Sequence, residues 1–498
     1  MNEALSLLLE GFQVALQPAN LLSALIGCIL GTIVGILPGL GPSTTVALLI
    51  PVAFALRPEF ALIMMTGVYL GAMYGGSLTS ILLDVPGEAS SMMTAVDGFQ
   101  LAKQGKGGAA LAISAIGSFI GGTLSVVGLT FLAPSIAQYA LLFGPAEMFS
   151  LMLAALLFTS ALLGDDLLKG LAAVALGLVL AMVGTDLQTG APRLTLGIDE
   201  LLDGIDEILL LMGVFGVGEV LWHVSHRQGG AAERLGIRGR LWPDHEDWRR
   251  SWPAILRGSV VGFLAGILPG SGSSLGSLMA YTLEKRVSRQ PERFGRGAIE
   301  GVAASETANN AATGGAMIPM FTLGVPGSGT TAVLLVALMM YGIQPGPRLM
   351  IDHPDVIWGT IAALYVSNVI LLILNLPLIG IFTRILDVPV RILMPLIIAI
   401  AAVGAYALHG SLADVIMLFV FGLLGYGMRA LGIPQVPLVL GAILGPRMEQ
   451  SLRQALLLSN GDWSVLVDKP ISAAFLAAGV GLVLLDAVTR RHRIPTAA

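Results

Sequence analysis

Apolar runs of roughly 18 residues or more recur along this chain, and each is long enough to cross the hydrocarbon core of a bilayer as a helix. Charged residues make up only 12% of the 498 residues, whereas soluble domains usually carry about 25%. The sequence therefore predicts an all-α polytopic membrane protein with about 11–12 transmembrane segments. The clearest runs are 107–133, 146–163, 167–185, 206–224, 356–383, 389–408 and 471–488.

The remaining composition narrows the kind of site that the chain can carry. The single cysteine, Cys28, excludes an intramolecular disulfide and a cysteine-based metal site. The sequence contains no basic patch suited to nucleic acid, so we expect no nucleic-acid partner. Residues 1–19 lack a basic region and a small-residue cleavage site, and they are interpreted as an N-terminal interfacial segment.

Arginine and lysine indicate which loops face the cytoplasm. They are concentrated in 225–257, in 284–296 and in the tail 490–498, whereas the loop 186–204 carries four acidic residues and one arginine. Because short cytoplasmic loops are enriched in basic residues, we expect a cytoplasmic C-terminus and an external 186–204 loop.

A helix-breaking phrase occurs twice. GCILGTIVGILPGLG begins at Gly27 and GSVVGFLAGILPGSG begins at Gly258. A second pair follows in the same order, GGSLTSILLDVPGEASS at 75–91 and GGAMIPMFTLGVPGSGTT at 314–331. We therefore predict an internal duplication. Its parts are a first membrane repeat 20–224, a basic cytoplasmic linker 225–257 and a second membrane repeat 258–489.

The length of the second phrase predicts a re-entrant hairpin. About 11 apolar residues precede the break and about 13 follow it. As helices, these two arms would each be roughly 16–20 Å long, which is too short to cross a bilayer core of about 30 Å. Both flanks are basic, so 258–283 would enter and leave from the cytoplasm. The first phrase has no basic flank of this kind, which favours two inverted structural repeats of the type found in secondary transporters. The glycines of each phrase recur every fourth residue, and such a row lets a neighbouring helix backbone approach closely. The alternative is that both phrases are merely kinked, tightly packed spans.

Small polar residues follow each Pro–Gly break and would begin half-helices at membrane depth. Free N–H groups and the positive end of the helix dipole make such a tip an anion site suited to carboxylates. Backbone carbonyls on the other side of each break would suit Na⁺. The candidate residues at the four breaks are Gly39, Gly41, Ser43, Thr44, Thr45, Gly87, Gly270, Ser271, Ser273, Ser274, Gly327, Ser328, Thr330 and Thr331.

A further candidate constellation is Glu306 with Asn309 and Asn310, within a helix expected over 297–325. Glu306 and Asn310 are four residues apart and share a helix face. An ionisable residue within a span is a functional candidate, here for a cation or a proton. The alternative is a packing role near the interface, with Glu306 hydrogen-bonded to an asparagine.

The sequence gives little support for an enzyme. The Gly272–Gly276 stretch matches G-x-S-x-G but lacks the strand–turn–helix setting that the motif requires. The histidines have no evident serine or carboxylate partner, and no cofactor motif is present. A membrane channel and an intramembrane enzyme remain as alternatives to a carrier.

The paired GILPG phrases and the blocks 74–111 and 297–335 resemble the large membrane subunit of tripartite tricarboxylate transporters, the TctA family. The resemblance extends from about residue 18 to about residue 485. It implies a multi-pass permease of the bacterial inner membrane that imports tricarboxylates or related organic acids with Na⁺ or H⁺ and without another cofactor. It also implies two partners, a small membrane subunit (TctB-like) and an extracytoplasmic solute-binding protein (TctC-like).

Overall fold

The structure is a computed structural model that describes residues 2–37, 41–162, 166–186, 188–226, 240–270, 272–382 and 390–491. Two predicted site residues, Gly39 and Ser271, lie outside these ranges, as do 227–239 of the predicted linker and 492–498 of the predicted tail. Within them the regular secondary structure is helical except for one antiparallel pair of two-residue strands, β1 (Gly184–Thr185) and β2 (Pro192–Arg193). The predicted all-α fold class is confirmed.

Twenty-two α-helices follow one another in the described part of the chain. The first ten are α1 (Asn2–Ala15), α2 (Pro18–Ile36), α3 (Pro42–Ala53), α4 (Pro58–Leu83), α5 (Met92–Lys103), α6 (Gly107–Ala140), α7 (Pro145–Leu162), α8 (Leu167–Ala181), α9 (Glu207–Leu211) and α10 (Gly218–Ser225). The others are α11 (His245–Ile267), α12 (Gly272–Val287), α13 (Ile299–Leu323), α14 (Gly329–Met340), α15 (Leu349–Asp352), α16 (Pro354–Asn375), α17 (Ile379–Phe382), α18 (Val390–His409), α19 (Leu412–Ala430), α20 (Gln435–Leu458), α21 (Val465–Asp468) and α22 (Pro470–Arg491). A π-helical segment, Met212–Val217, joins α9 to α10, and 3₁₀ turns lie at Ala89–Ser91, Asp199–Leu201 and Pro291–Arg293.

Eight helices in the described ranges are long and apolar enough to cross a membrane. They are Pro18–Ile36, Pro58–Leu83, Gly107–Ala140, Pro145–Leu162, Glu207–Ser225, Pro354–Asn375, Leu412–Ala430 and Pro470–Val488. The polytopic class is therefore confirmed. The total of about 11–12 spans stays a prediction.

Three glycines of the first phrase, Gly27, Gly31 and Gly35, form a row on α2 that packs directly against the backbone of α4. A Cβ atom added to any of the three glycines would lie 2.2 to 2.3 Å from a carbonyl oxygen of that helix. Gly27 faces Met64, Gly31 faces Val68 and Gly35 faces Ala72. Only glycine allows two helix backbones to approach this closely, so the row fixes how α2 packs on α4.

The second phrase repeats this packing between α11 and α13. A Cβ atom at Gly258, Gly262 or Gly266 would lie 2.8, 2.2 and 2.2 Å from the carbonyl oxygens of Ala304, Ala308 and Ala312. The later breaks correspond as well, because Gly87 packs on the carbonyl of Gly35 and Gly327 on that of Gly266. The same packing therefore occurs twice, while the opposite membrane orientation of the two units stays a prediction.

One helix begins earlier than the sequence suggested. We expected an arm of about 11 residues before the second break, but α11 has 23 residues and begins at His245. The reason is a capping box in which Asp244 accepts a hydrogen bond from the backbone of Asp247, so that helix can form within the basic segment. The helix ends as predicted, at Leu268 before Pro269.

The second helix of each pair lies at the centre of the molecule. Nearly every residue of α4 and α13 is buried, and α13 packs against α6, α11 and α12. Both helices end in a residue with a left-handed backbone, Asp84 with φ 57° and Gly324 with φ 68°. The breaks that follow are thereby held inside the protein, where an interrupted backbone can be accommodated.

Candidate functional site

The four helix breaks meet at one cavity of about 340 Å³, which we call the central cavity. The breaks contribute residues 41–44, 87–90, 270, 272–274 and 328–330 to its wall. Three helices begin there, α3 at Pro42, α12 at Gly272 and α14 at Gly329, together with the 3₁₀ turn at Ala89. Segments far apart in sequence thus form one polar wall.

Hydroxyl groups connect the breaks across the central cavity. Ser43 Oγ lies 3.0 Å from Thr330 Oγ1, and Tyr69 OH lies 3.3 Å from Ser328 Oγ. The first contact joins the first break of one predicted repeat to the second break of the other. The tips are therefore adjacent, as the hypothesis of a shared site requires.

The tips differ in how their first backbone N–H groups are satisfied. Ser328 caps α14 by accepting from the Thr331 amide at 3.2 Å, and the Ser328 amide donates to Thr331 Oγ1 at 2.8 Å. Glu88 precedes the 3₁₀ turn and already places a carboxylate at that tip, where Ser90 Oγ donates to it. Gly41 gives α3 no side-chain cap, and Pro42 at its first position has no N–H. The first-turn amides left for an external anion are therefore those of Ser43 and Thr44 in α3 and those of Gly329 and Thr330 in α14.

An ion pair in the wall was not predicted. Arg429 of α19 pairs with Glu219 of α10, and its guanidinium lies 5.2 Å from the ring centre of Trp222. Both Arg429 and Glu219 line the central cavity. Each lies within an otherwise apolar run, and an ionisable residue in such a run indicates a functional role.

The expectation that histidines lack carboxylate partners was wrong at two positions. His223 Nε2 lies 3.1 Å from Glu219 Oε1, and His409 Nδ1 lies 2.9 Å from Asp414 Oδ2. In the first pair the residues are one helical turn apart on α10, and in the second they lie at adjoining helix ends. The expectation that the histidines lack a serine partner was wrong as well, because Ser225 Oγ lies 2.9 Å from His226 Nδ1.

The π-helical segment joins α3 to this wall. Thr44 Oγ1 donates to the carbonyl oxygen of Phe215 at 2.9 Å, and Phe215 itself lines the central cavity. A π-helix leaves main-chain groups available for such contacts, and these segments are frequent at functional sites. Thr44 therefore positions the start of α3, and its hydroxyl is already engaged.

Glu306, Asn309 and Asn310 lie outside the cavity wall, in a buried cluster on α13. Thr94 Oγ1 donates to Glu306 Oε1 at 2.5 Å, and Asn310 Nδ2 donates to Ser118 Oγ at 2.7 Å. The Glu306 carboxyl is fully buried and accepts from a threonine rather than from an asparagine side chain, while its depth in the membrane stays a prediction. The sequence correctly placed these three residues together on one helix, but it could not show that they lie outside the wall of the central cavity.

The predicted site residues thus fall into two groups. Those that line the central cavity are Gly41, Ser43, Thr44, Gly87, Gly270, Ser273, Ser274, Ser328 and Thr330. Those that do not are Thr45, Gly327, Thr331, Glu306, Asn309 and Asn310. Among the described residues, no group of three or more His, Cys, Asp and Glu side chains could hold a metal ion.

Comparison with known proteins agrees with this architecture. A family model described as "Tripartite tricarboxylate transporter TctA family" matches residues 21–440. The chain belongs to this family. It is therefore a component of a tripartite tricarboxylate transporter and a multi-pass membrane protein.

Two relatives from Agrobacterium vitis are similar to this TctA-family chain. One, an uncharacterised 52.8 kDa protein in the TAR-I ttuC′ 3′ region, is 42% identical over 487 residues, which cover 97% of this chain and 96% of the relative. The other, an uncharacterised protein in the TAR-II ttuC′ 3′ region, is 43% identical over 224 residues, covering 45% of this chain and 93% of the relative. No solved structure matches.

Proposed function

We propose that this TctA-family chain is the permease subunit, which imports small carboxylates through the central cavity. The observation that carries the proposal is the meeting of all four helix breaks at that cavity, beside Arg429. The substrate would be a tricarboxylate or a related organic acid. The cavity volume of about 340 Å³ is at the lower end of the range for small-molecule sites.

Two features of the wall suit a carboxylate. The open first turn of α3 offers N–H groups and the positive end of a helix dipole. Arg429 offers a planar guanidinium that binds carboxylates through two parallel hydrogen bonds. Because Arg429 is already paired with Glu219, a substrate carboxylate would share the guanidinium with Glu219, which keeps its own contact with His223 Nε2 at 3.1 Å.

Transport would proceed by alternating access. The contacts of Ser43 with Thr330 and of Tyr69 with Ser328 join the first predicted repeat to the second, and they would separate as the cavity opens. The energy for uphill import would come from Na⁺ or H⁺, with backbone carbonyls at the breaks as further oxygen ligands for Na⁺. An alternating carrier needs such separable contacts, whereas a channel would need a continuous aqueous path.

The working assembly would contain three proteins in and around the bilayer. The family description is tripartite, which supports a small membrane subunit (TctB-like) and an extracytoplasmic binding protein (TctC-like) that delivers the solute. The chain would lie in the bacterial inner membrane with its C-terminus in the cytoplasm, as the basic loops favour.

Uptake into proteoliposomes tests this function. The chain is reconstituted with its two partner subunits, and the entry of radiolabelled citrate and other di- and tricarboxylates is measured under imposed Na⁺ or proton gradients. We expect saturable uptake that needs both the binding protein and a gradient. Absence of uptake for all these acids would contradict the permease assignment, and gradient-independent, non-saturable flux would favour a channel.

A further inference from the structure

Five buried polar side chains beside the central cavity form one cluster. It comprises Glu306 and Asn310 of α13, Thr94 of α5, and Ser114 and Ser118 of α6, all of them buried. Ser114 and Ser118 lie beside the Glu306 carboxyl, and Ser118 also accepts from Asn310. The cluster thus joins three helices through oxygen-bearing side chains.

Two of these acceptor oxygens, Glu306 Oε2 and Asn310 Oδ1, have no hydrogen-bond partner in the part of the chain that the structure describes. Ser114 Oγ faces the Glu306 carboxyl. Buried polar atoms are rarely left unpaired, since each costs free energy to remove from water. The groups that act on the Glu306 charge are Thr94, Glu88 and the two serines, without a described lysine or arginine among them.

We propose that this cluster binds a monovalent cation, Na⁺, with Glu306, Asn310 and Ser114 as ligands. Na⁺ would neutralise the carboxylate and accept several oxygen ligands from the cluster. A proton on Glu306 would also neutralise the charge, but it supplies one donor and so satisfies only one neighbouring acceptor oxygen. The proposal rests on the proposed transport function and names the coupling ion and its site.

Asn309, the neighbour of Asn310 in the chain, connects the polar cluster to the central cavity. Asn309, adjacent to Asn310, donates to Glu88 Oε1 at 3.4 Å, and Glu88 lines the central cavity. A carboxylate entering the cavity meets the negative charge of Glu88, and a cation in the cluster reduces that repulsion. Each ligand therefore increases the affinity of the other, as thermodynamic linkage requires.

The test measures Na⁺ binding directly. The full-length chain in lipid nanodiscs is titrated with NaCl against choline chloride at constant ionic strength, and the thermal midpoint is followed by tryptophan fluorescence. We expect a saturable, Na⁺-specific rise in the midpoint, because a ligand that binds only the folded state stabilises it. The rise is expected to be lost in Glu306→Gln and to need about tenfold more Na⁺ in Asn310→Ala.

Matched controls separate the site from general effects. Glu300→Gln changes a buried carboxylate of the same helix that pairs with Arg250 and Arg293, and Asn375→Ala changes a buried amide of α16. Both are expected to keep the response to Na⁺. If Glu306→Gln does not fold, Asn310→Ala and Ser114→Ala still test the proposed Na⁺ site, since each removes one ligand.

The outcomes distinguish the two proposals. A response to Na⁺ that is unchanged in the Glu306, Asn310 and Ser114 variants would overturn this site. Absence of any Na⁺ response, together with uptake driven by a proton gradient alone, would overturn the Na⁺ inference and leave the permease function standing. Na⁺ binding with the expected variant pattern, but no carboxylate uptake, would support the cation site and contradict the transport function.

Discussion

Ser43 Oγ lies 3.0 Å from Thr330 Oγ1, although 287 positions separate the two residues in the chain. Each residue belongs to the first turn of a helix that begins at the central cavity. A solute that binds one tip therefore lies within reach of the other.

A bulky residue at Ser43 is expected to abolish carboxylate uptake while the protein still folds. Ser43→Phe would fill part of the cavity and separate α3 from α14, and Ser273→Phe would have the same effect from α12. The control is Gly481→Phe in α22, where a new side chain meets nothing within 4 Å. Uptake and the yield of monodisperse protein are measured together. Normal uptake by both serine variants would exclude the helix tips from the site.

Replacing Arg429 by Gln is expected to raise the KM for the carboxylate about 10- to 100-fold, since a hydrogen bond to a charged group contributes about 1.5–3 kcal/mol. Arg429→Lys keeps the charge but loses the planar fork, so an intermediate KM is expected. The matched control is Arg348→Gln, which breaks an exposed pair with Asp352. If initial-rate measurements give an unchanged KM for Arg429→Gln, the arginine only anchors Glu219.

Adding a methyl group to the glycine rows is expected to destabilise the fold. A Cβ atom at Gly31 would lie 2.3 Å from the carbonyl oxygen of Val68, and one at Gly262 would lie 2.2 Å from that of Ala308. Forcing the helices apart costs about 1–3 kcal/mol, so Gly31→Ala and Gly262→Ala should unfold at lower temperature than the parent. Gly481→Ala serves as the control. Equal midpoints for all three variants would show that the helices do not pack this closely.

Asp84 is expected to tolerate glycine and to reject valine. Its backbone is left-handed, with φ 57°, like that of Gly324, and both residues terminate a central helix. The left-handed conformation costs roughly 1–2 kcal/mol for residues other than glycine, and aspartate adopts it more readily than valine. Asp84→Gly should keep both stability and uptake, whereas Asp84→Val should lower the thermal midpoint. A loss of uptake in a stable Asp84→Gly protein would instead assign a function to the carboxylate.

Much of the fold could be predicted because membrane helices are marked by composition and length. The glycine rows at Gly27 and Gly258 correctly indicated close helix packing, because a stripe of glycines has few other uses in an apolar helix. The start of α11 was missed, since the capping by Asp244 is a local contact inside a segment that reads as a charged loop. The orientation of the two repeats in the membrane stays a prediction.

The site could be predicted only in part. The breaks identified the residues around Ser43 and Ser328, because a helix start at membrane depth is unusual in any sequence. Arg429 and Glu219 were missed because each lies in a run that is otherwise apolar, and their pairing depends on how α10 packs against α19. The same limit applies to Asp97, whose carboxylate accepts from Tyr281 OH and from the amides of Gly295, Gly297 and Ala298. Contacts between distant segments are set by tertiary packing, which local patterns do not report.

The glycine rows also determine where the protein tolerates mutation least. The six glycines of the two rows pack on neighbouring backbone, and none of them borders the cavity. A genetic screen for lost uptake would therefore recover these positions beside the true binding residues. Only the amount of folded protein in the membrane distinguishes the two groups, so surveys of natural variants in this family need an abundance measurement alongside every transport assay.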